Sequence, residues 1–196
     1  LPTIIFNKAS TAARAMNLET IIRGCQQIQG LLYTTMQHDA AWDFLRLGRG
    51  IERADMTTRI LDAGVAAVIQ VVDDDTVVNS RQIIWGNVLR SLGADQAYRR
   101  TTRSAVNGDS VVHYLLEDQV FPRTIAHNLH IITVSANRLP RSSKLVTYLQ
   151  EFQVNMFDDV DYEQLGEPLR DYLNDLQTEL AGIHQKIAAL WFPVYE

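Results

Sequence analysis

The chain has 196 residues, of which 46% are hydrophobic and 21% charged, so it is long and apolar enough to bury a core and is unlike a disordered chain. Its net charge of −5 argues against non-specific binding to nucleic acid. One cysteine excludes an internal disulfide bond, and no run of about 18 apolar residues is available to cross a membrane. We therefore expect one soluble domain over residues 1–196, in the reducing environment of the cytoplasm.

The first long segment predicts a helix, because its apolar residues recur every three or four positions. The stripe consists of Leu18, Ile22, Cys25, Ile28, Leu32 and Met36. Ser10 or Thr11 can cap its start. The stripe predicts that Cys25 is a buried, unreactive thiol rather than a nucleophile. Because the chain begins without an initiator methionine, we expect that an N-terminal part of the full domain is missing.

The second segment has the most regular pattern of the chain, typical of a seam in a helical bundle. Its steps of three and four residues join Phe44, Leu47, Ile51, Ala54, Thr58, Leu61, Val65 and Val68. Asp39 can cap this helix, and Asp73–Asn79 is a candidate linker after it. We expect this helix to be central and antiparallel to its neighbours in sequence.

Shorter helices follow, over residues 80–92 and 95–104. Asp109 can cap the next helix, and Pro122 fits the first position of the one after it. That helix has the seam Ile125, Leu129, Ile132, Ala136 and Leu139. A further helix carries Leu145, Leu149, Phe152 and Met156. After a candidate linker at residues 158–166, the last helix starts near Pro168. Strand-like alternation is nearly absent, so the predicted fold class is all-α, a helical bundle with a long central helix.

Charge is distributed unevenly along the chain. The basic stretch contains Arg81, Arg90, Arg99, Arg100 and Arg103. The acidic stretch contains Asp158, Asp159, Asp161, Glu163, Glu167, Asp171, Asp175 and Glu179. Two interpretations stay open. The stretches are solvated faces that meet within the fold, or the basic one is a patch for an anionic ligand or partner.

Signatures of several common enzyme classes are missing from the sequence. It has no phosphate-binding loop, no Gly-x-Ser-x-Gly turn, no Cys-x-x-Cys pair and no Glu-x-x-His pair of a di-metal bundle. His127 and His130 are three residues apart and can share a helix face, but a metal needs further ligands there. We therefore predict neither a metal site nor a cofactor.

A stripe of charged residues lies beside the apolar seam of the second helix. It contains Arg49, Glu52, Arg53, Asp55, Arg59 and Asp62. The spacing predicts that Arg49 pairs with Glu52, and that Arg59 pairs with Asp55 or Asp62. Gly48 and Gly50 each cost the helix about 1 kcal/mol relative to alanine. Close approach of another backbone would explain them.

The second helix resembles the alpha-E family, a family of helical domains named for a Glu-Arg motif. The matching residues are Trp42, Leu47-Gly48-Arg49, Glu52-Arg53-Ala54, Thr58, Arg59 and Leu61-Asp62. Further matches are Trp85, Leu89-Arg90-Ser91, Tyr98-Arg99, Leu115-Leu116, Asp118 and Phe121-Pro122-Arg123. The resemblance implies a helical domain that accompanies circularly permuted ATP-grasp ligases and transglutaminase-like proteins, in systems that form peptide or amide bonds.

Three functions follow from the residues and the resemblance. The chain is a non-catalytic partner or substrate-presenting module of an ATP-grasp ligase, or an enzyme acting on amide or acyl-phosphate bonds, or a structural scaffold. Nearby arginines favour the ionised form of Glu52, which weakens a role for it in acid–base catalysis. Arginines at 49, 53, 59 and 123 are candidate clamps for carboxylate or phosphate.

The remaining expectations concern individual side chains. Arg90, Arg99 and Arg123 are candidate contacts for an anion or a partner. Glu52 is expected to be largely shielded from solvent and paired with Arg49 or Arg123, because it lies beside the apolar seam.

Overall fold

The computed structural model describes residues 11–71, 77–158, 160–162 and 164–193. Within these ranges it has eight helices and no strand, so the predicted all-α fold class is confirmed. The helices are α1 (Thr11–Thr35), α2 (Ala40–Ile69), α3 (Val77–Ser91), α4 (Asp95–Thr102), α5 (Gly108–Glu117), α6 (Ile125–Asn137), α7 (Ser143–Asn155) and α8 (Glu167–Trp191). No helix in the described ranges is long and apolar enough to cross a membrane.

The chain divides into two compact units, residues 1–42 and 43–196. In the described part of the first unit, Trp42 stacks on His38, with ring centroids 4.3 Å apart, and meets Tyr33 edge to face. The predicted burial of Cys25 is wrong, since its side chain is exposed. Leu18, Ile22 and Ile28 of the same stripe are also more than half exposed. Among its described residues, 11–42, the unit contains α1 and the start of α2, and these residues include no second layer that covers the stripe.

Within the second unit, α2 runs antiparallel to α6 and α8. Asp43 pairs with Arg138 near the end of α6, at 3.2 Å, whereas the Thr57 hydroxyl donates to the carbonyl oxygen of Arg123, which precedes α6. Phe44, near the start of α2, contacts Trp191 at the end of α8. The end of α2 contacts Arg170 through Asp62, at 2.7 Å.

Gly50 marks the closest approach of α2 to α6. A Cβ atom at this glycine would lie 2.7 Å from Ile132 Cγ1 and 3.3 Å from the carbonyl oxygen of Asn128. The expected close approach is therefore found at Gly50. It is absent at Gly48, where a Cβ would meet nothing within 4 Å.

The core of the second unit follows the predicted seams. Leu47, Ala54, Leu61 and Val65 of α2 are buried, as is the whole predicted seam of α6. Helices α7 and α8 form an antiparallel pair in this unit. The Tyr172 hydroxyl donates to the carbonyl oxygen of Met156, and the Trp191 indole N–H donates to the carbonyl oxygen of Pro140.

Two helix starts differ from prediction. The N-cap of α5 is Asn107 rather than Asp109. Its extended backbone lets the side-chain oxygen accept from the Ser110 amide at 2.9 Å. Helix α6 begins three residues after Pro122 and is capped by Thr124. Pro122 instead belongs to a hydrogen-bonded connection in which Asn128 binds its carbonyl oxygen.

The two predicted linkers are only partly described. Residues 77–79 of the first belong to α3, and the positions of Asp73, Asp74 and Asp75 lie outside the described residues. The second joins α7 to α8, and Asp159 and Glu163 within it lie outside the described residues. The expectations of a single domain and of a missing N-terminal part stay predictions.

Candidate arginine site

The structure brings α2 together with the connection between α5 and α6. Thr57 is 1% exposed and its hydroxyl binds the backbone oxygen of Arg123 at 2.7 Å. This bond joins the two segments in which the sequence placed most of its candidate residues. Arg123 is consequently held beside α2, about one turn of helix beyond Arg53.

The connection that carries Arg123 is fixed by its own hydrogen bonds. Asp118 Oδ1 accepts from the amides of Val120 and Phe121 at 2.9 and 2.7 Å. The Thr124 hydroxyl lies against the carbonyl oxygens of Asp118 and Phe121. Asn128, which is 2% exposed, donates to the Thr124 carbonyl at 2.7 Å. The segment is therefore a closed turn with a defined geometry.

Three arginines form a cluster at this junction: Arg49, Arg53 and Arg123. Arg49 and Arg53 are half-buried and Arg123 is exposed. Burial lowers the pKa of Arg53, and the positive charges of Arg49 and Arg123 lower it further. No described carboxylate forms an ion pair with any of the three. We call these three residues the arginine cluster.

Two arginines that contact the acidic residues of the predicted stripe, Arg59 and Arg170, are paired. Arg59 makes a two-pronged contact with Asp55, at 2.8 and 3.0 Å. That hydrogen bond and the charge of Asp55 raise the pKa of Arg59. Of its two predicted partners, Arg59 therefore pairs with Asp55, whereas Asp62 pairs with Arg170. The cluster thus differs from the rest of the predicted stripe in having positive charge without a described partner.

The expectation for Glu52 is wrong. Its side chain is exposed and forms no ion pair within the described part of the chain, so neither Arg49 nor Arg123 is its partner. The reason is geometric. Successive residues on a helix are about 100° apart, so when Arg53 faces the α6 side of α2, Glu52 turns toward solvent.

The remaining candidates do not join the cluster. Arg90 and Arg99 are exposed, and no contact of the described residues links either to Arg53. The apolar and aromatic matches to the alpha-E pattern on α3, α4 and α5 are core residues, each at most 2% exposed: Trp85, Leu89, Tyr98, Leu115 and Leu116. These matches build the fold around the site and do not line it.

The two histidines have unrelated surroundings. His127 is half-buried and its Nδ1 lies 2.9 Å from the carbonyl oxygen of Gln119, and His130 is exposed. In the described ranges no three His, Cys, Asp or Glu side chains are grouped as metal ligands would be.

Sequence reasoning missed the residues that hold the site together. Thr57, Thr124 and Asn128 were not singled out, although they fix Arg123 against α2. One signal was available, because a threonine directly before an apolar helical seam is a favoured N-cap residue. The bond from Thr57 joins positions 66 residues apart and leaves no local signal.

Comparison with known proteins supports one family. The model of the Alpha-E family, described as a predicted alpha-helical domain with a conserved ER motif, matches residues 4–192. Glu52-Arg53 is the Glu-Arg pair of the sequence. Uncharacterized proteins of Mycobacterium tuberculosis and Mycobacterium bovis are 24% identical over 188 residues, which is 92% of this chain. The chain spans about a fifth of the length of these relatives. No solved structure matches.

Proposed function

The chain belongs to the Alpha-E family, and from that premise we propose that it is a non-catalytic partner or substrate-presenting module of an ATP-grasp peptide or amide ligase. In this proposal the arginine cluster binds an anionic group of the ligase or of its substrate. The observation that carries the proposal is the cluster itself, three positive charges without a described counter-charge on a chain of net charge −5.

The chemistry of arginine supports an anion as the ligand. A guanidinium group presents parallel N–H donors that match the oxygens of carboxylate or phosphate. The charged form of Arg53 is disfavoured by burial and by its two neighbours. An incoming anion would reverse both effects, because it supplies opposite charge and hydrogen-bond acceptors at once.

The rigidity of the site supports recognition as well. Arg49 and Arg53 project from α2, which packs closely on α6 at Gly50. Arg123 is held through its backbone by the buried hydroxyl of Thr57. A site on rigid elements loses less conformational freedom when its ligand binds.

The identity of the partner comes from the resemblance, which implies ATP-grasp ligases and transglutaminase-like proteins as companions. A ligase consumes ATP, so we propose that the complex forms in the cytoplasm. The anionic group is then a carboxylate or an acyl-phosphate of the ligase substrate, or an acidic side chain on the ligase surface.

The experiment is co-elution with the ATP-grasp ligase encoded beside the full-length protein. Arg53→Ala and Arg123→Ala should each lower retention of the ligase about tenfold or more, the effect of losing hydrogen bonds to a charged group. Arg59→Ala is the matched control, because it removes an equal charge from the same helix but from a site already paired with Asp55. This control should retain the ligase.

Two outcomes would overturn the proposal. In the first, wild-type protein does not retain the ligase at any salt concentration tested. In the second, Arg53→Ala and Arg59→Ala weaken retention equally, which would mean that overall charge rather than the cluster is responsible. Circular dichroism of each variant checks that the fold is intact.

A further inference from the structure

We propose that the arginine cluster is one end of a longer surface that binds an extended, acidic segment of a peptide chain. Arg46 on α2 forms the other end of this surface and adds a fourth positive charge to it. The inference rests on the function proposed above and deepens it, because it specifies a ligand with several carboxylates along one chain instead of a single anionic group.

Arg46 lies on the same face of α2 as Arg49 and Arg53. The three residues follow one another in steps of three and four, which makes their side chains neighbours on the helix surface. All three are half-buried. Gly50, which makes the closest approach to α6, lies four residues after Arg46 and three before Arg53. The arginines therefore flank the contact between α2 and α6, and we call Arg46, Arg49 and Arg53 the arginine row.

The described part of the chain provides no counter-charge for Arg46. Among these residues it forms no ion pair. The acid nearest to it along α2 is Asp43, whose Oδ2 pairs with Arg138 and whose buried Oδ1 has no hydrogen-bond partner among the described residues. The facing helix, α6, contains no acidic residue in its sequence.

The arginine row is unfavourable for α2 in the absence of a ligand. Like charges three or four residues apart on a helix repel each other and destabilise it. The positive charges of Arg49 and Arg123 already oppose the charged form of Arg53. A ligand with several negative charges that contacts successive arginines would relieve this repulsion along the whole row.

The length of the surface fits a short stretch of extended peptide. Arg46 and Arg53 are separated along α2 by about 10 Å, at 1.5 Å per residue. Thr57 lies one turn further along, and its hydroxyl binds the backbone of Arg123. The positive charges thus extend over about 16 Å, which is the length of about five residues of an extended strand. A single carboxylate or phosphate would contact only part of this surface.

A short acidic peptide also fits the charge of the molecule better than a nucleic acid does. The chain as a whole has a net charge of −5, which repels a long polyanion that reaches beyond the arginine row. A segment of about five residues stays on the row. The proposed partner, a peptide or amide ligase, supplies such a segment from its own surface or from its substrate.

The test measures binding of dye-labelled pentaglutamate to the chain by fluorescence anisotropy, with diglutamate carrying the same dye as the short probe. Wild type should bind pentaglutamate saturably and about tenfold or more tightly than diglutamate. Arg46→Ala should weaken binding of pentaglutamate about tenfold. Arg46→Lys should bind more tightly than Arg46→Ala, because lysine keeps the charge. Arg59→Ala, which removes an arginine already paired with Asp55, should bind as wild type does.

Four results would overturn the inference. They are the absence of saturable binding of pentaglutamate to wild type, equal affinities for the long and the short probe, wild-type affinity of Arg46→Ala, and tighter binding of a five-residue oligothymidylate than of pentaglutamate. Circular dichroism checks that each variant keeps its helix content.

Arg53→Ala separates failure of this inference from failure of the proposed function. If Arg53→Ala loses the ligase in co-elution while Arg46→Ala binds pentaglutamate as wild type does, the extended surface is wrong and the proposed function stands. If wild type does not retain the ligase but Arg46→Ala and Arg53→Ala both lose pentaglutamate, the surface stands and the proposed function is wrong.

Discussion

Arg53 and Arg59 are six residues apart on α2 and have opposite electrostatic surroundings. Asp55 raises the pKa of Arg59, whereas burial, Arg49 and Arg123 lower that of Arg53. An exposed ion pair such as Arg59–Asp55 contributes little to stability. An unpaired, half-buried cation opposes folding. At the residue scale, then, the cluster lowers stability, and the anion binding proposed for it would offset that cost.

Glu52 gives a prediction at the same scale. Because its side chain is exposed and without an ion-pair partner in the described chain, Glu52→Gln should change the free energy of unfolding by no more than about 0.5 kcal/mol. Urea denaturation measures this. A loss of several kcal/mol would show that Glu52 is half of a buried ion pair, contrary to the structure.

At the scale of elements, the contact between α2 and α6 is set by a glycine. Gly50→Ala would place a methyl group 2.7 Å from Ile132, which is fully buried, and 3.3 Å from a backbone oxygen. Overpacking of this kind typically costs about 1–3 kcal/mol, against a gain in helix propensity of about 1 kcal/mol. We expect net destabilisation.

Gly48→Ala is the matched control on the same helix. A Cβ there meets nothing within 4 Å, so the variant should gain up to about 1 kcal/mol in stability from helix propensity. Chemical denaturation of both variants checks the pair. Equal effects of the two substitutions would mean that α2 and α6 are farther apart than the structure shows.

Local sequence patterns predicted where the helices lie better than which flank of each helix is covered. The seams of α2 and α6 were predictable, because burial imposes steps of four and three along each helix. In α2 these steps join the buried residues Ala54, Thr58 and Leu61. The orientation of Glu52 was not predictable, because residues flanking a seam on either side have the same local pattern. Only the packing of α6 on Gly50 decides which flank is covered.

The helix starts were missed for a related reason. Asn107 and Asp109 are both good capping residues two positions apart, and the backbone conformation at Asn107 decides between them.

The arginine cluster was predicted only as separate candidate residues. Its assembly depends on the hydrogen bond between Thr57 and Arg123, two residues that are 66 positions apart in the sequence.

On the scale of the whole molecule, stability depends on the shared core of the second unit. Leu61 and Leu129 are fully buried and Leu176 is 3% exposed. Truncating any of them to alanine should cost about 2–5 kcal/mol. Ile51 is only half-buried, so Ile51→Ala should cost less than Leu61→Ala. Thermal melts rank the variants by stability. Near-zero losses of stability at two of the leucines would contradict the packing described.

Arg53→Met tests the central claim most directly, because it separates stability from recognition in one variant. Methionine keeps most of the apolar length of arginine and removes the charge. The melting temperature should stay constant or rise, with a gain of at most about 1 kcal/mol. Because arginine stays protonated in folded and unfolded proteins alike, the gain should be the same from pH 5 to pH 9.

The same sample is then assayed for retention of the ATP-grasp ligase, with Arg59→Met as the matched control. The account predicts that Arg53→Met keeps its fold and loses the ligase, while Arg59→Met keeps both. A fall in melting temperature that accompanies the loss of binding would contradict the account, since Arg53 would then be a structural residue. Full retention of the ligase by Arg53→Met would contradict it as well.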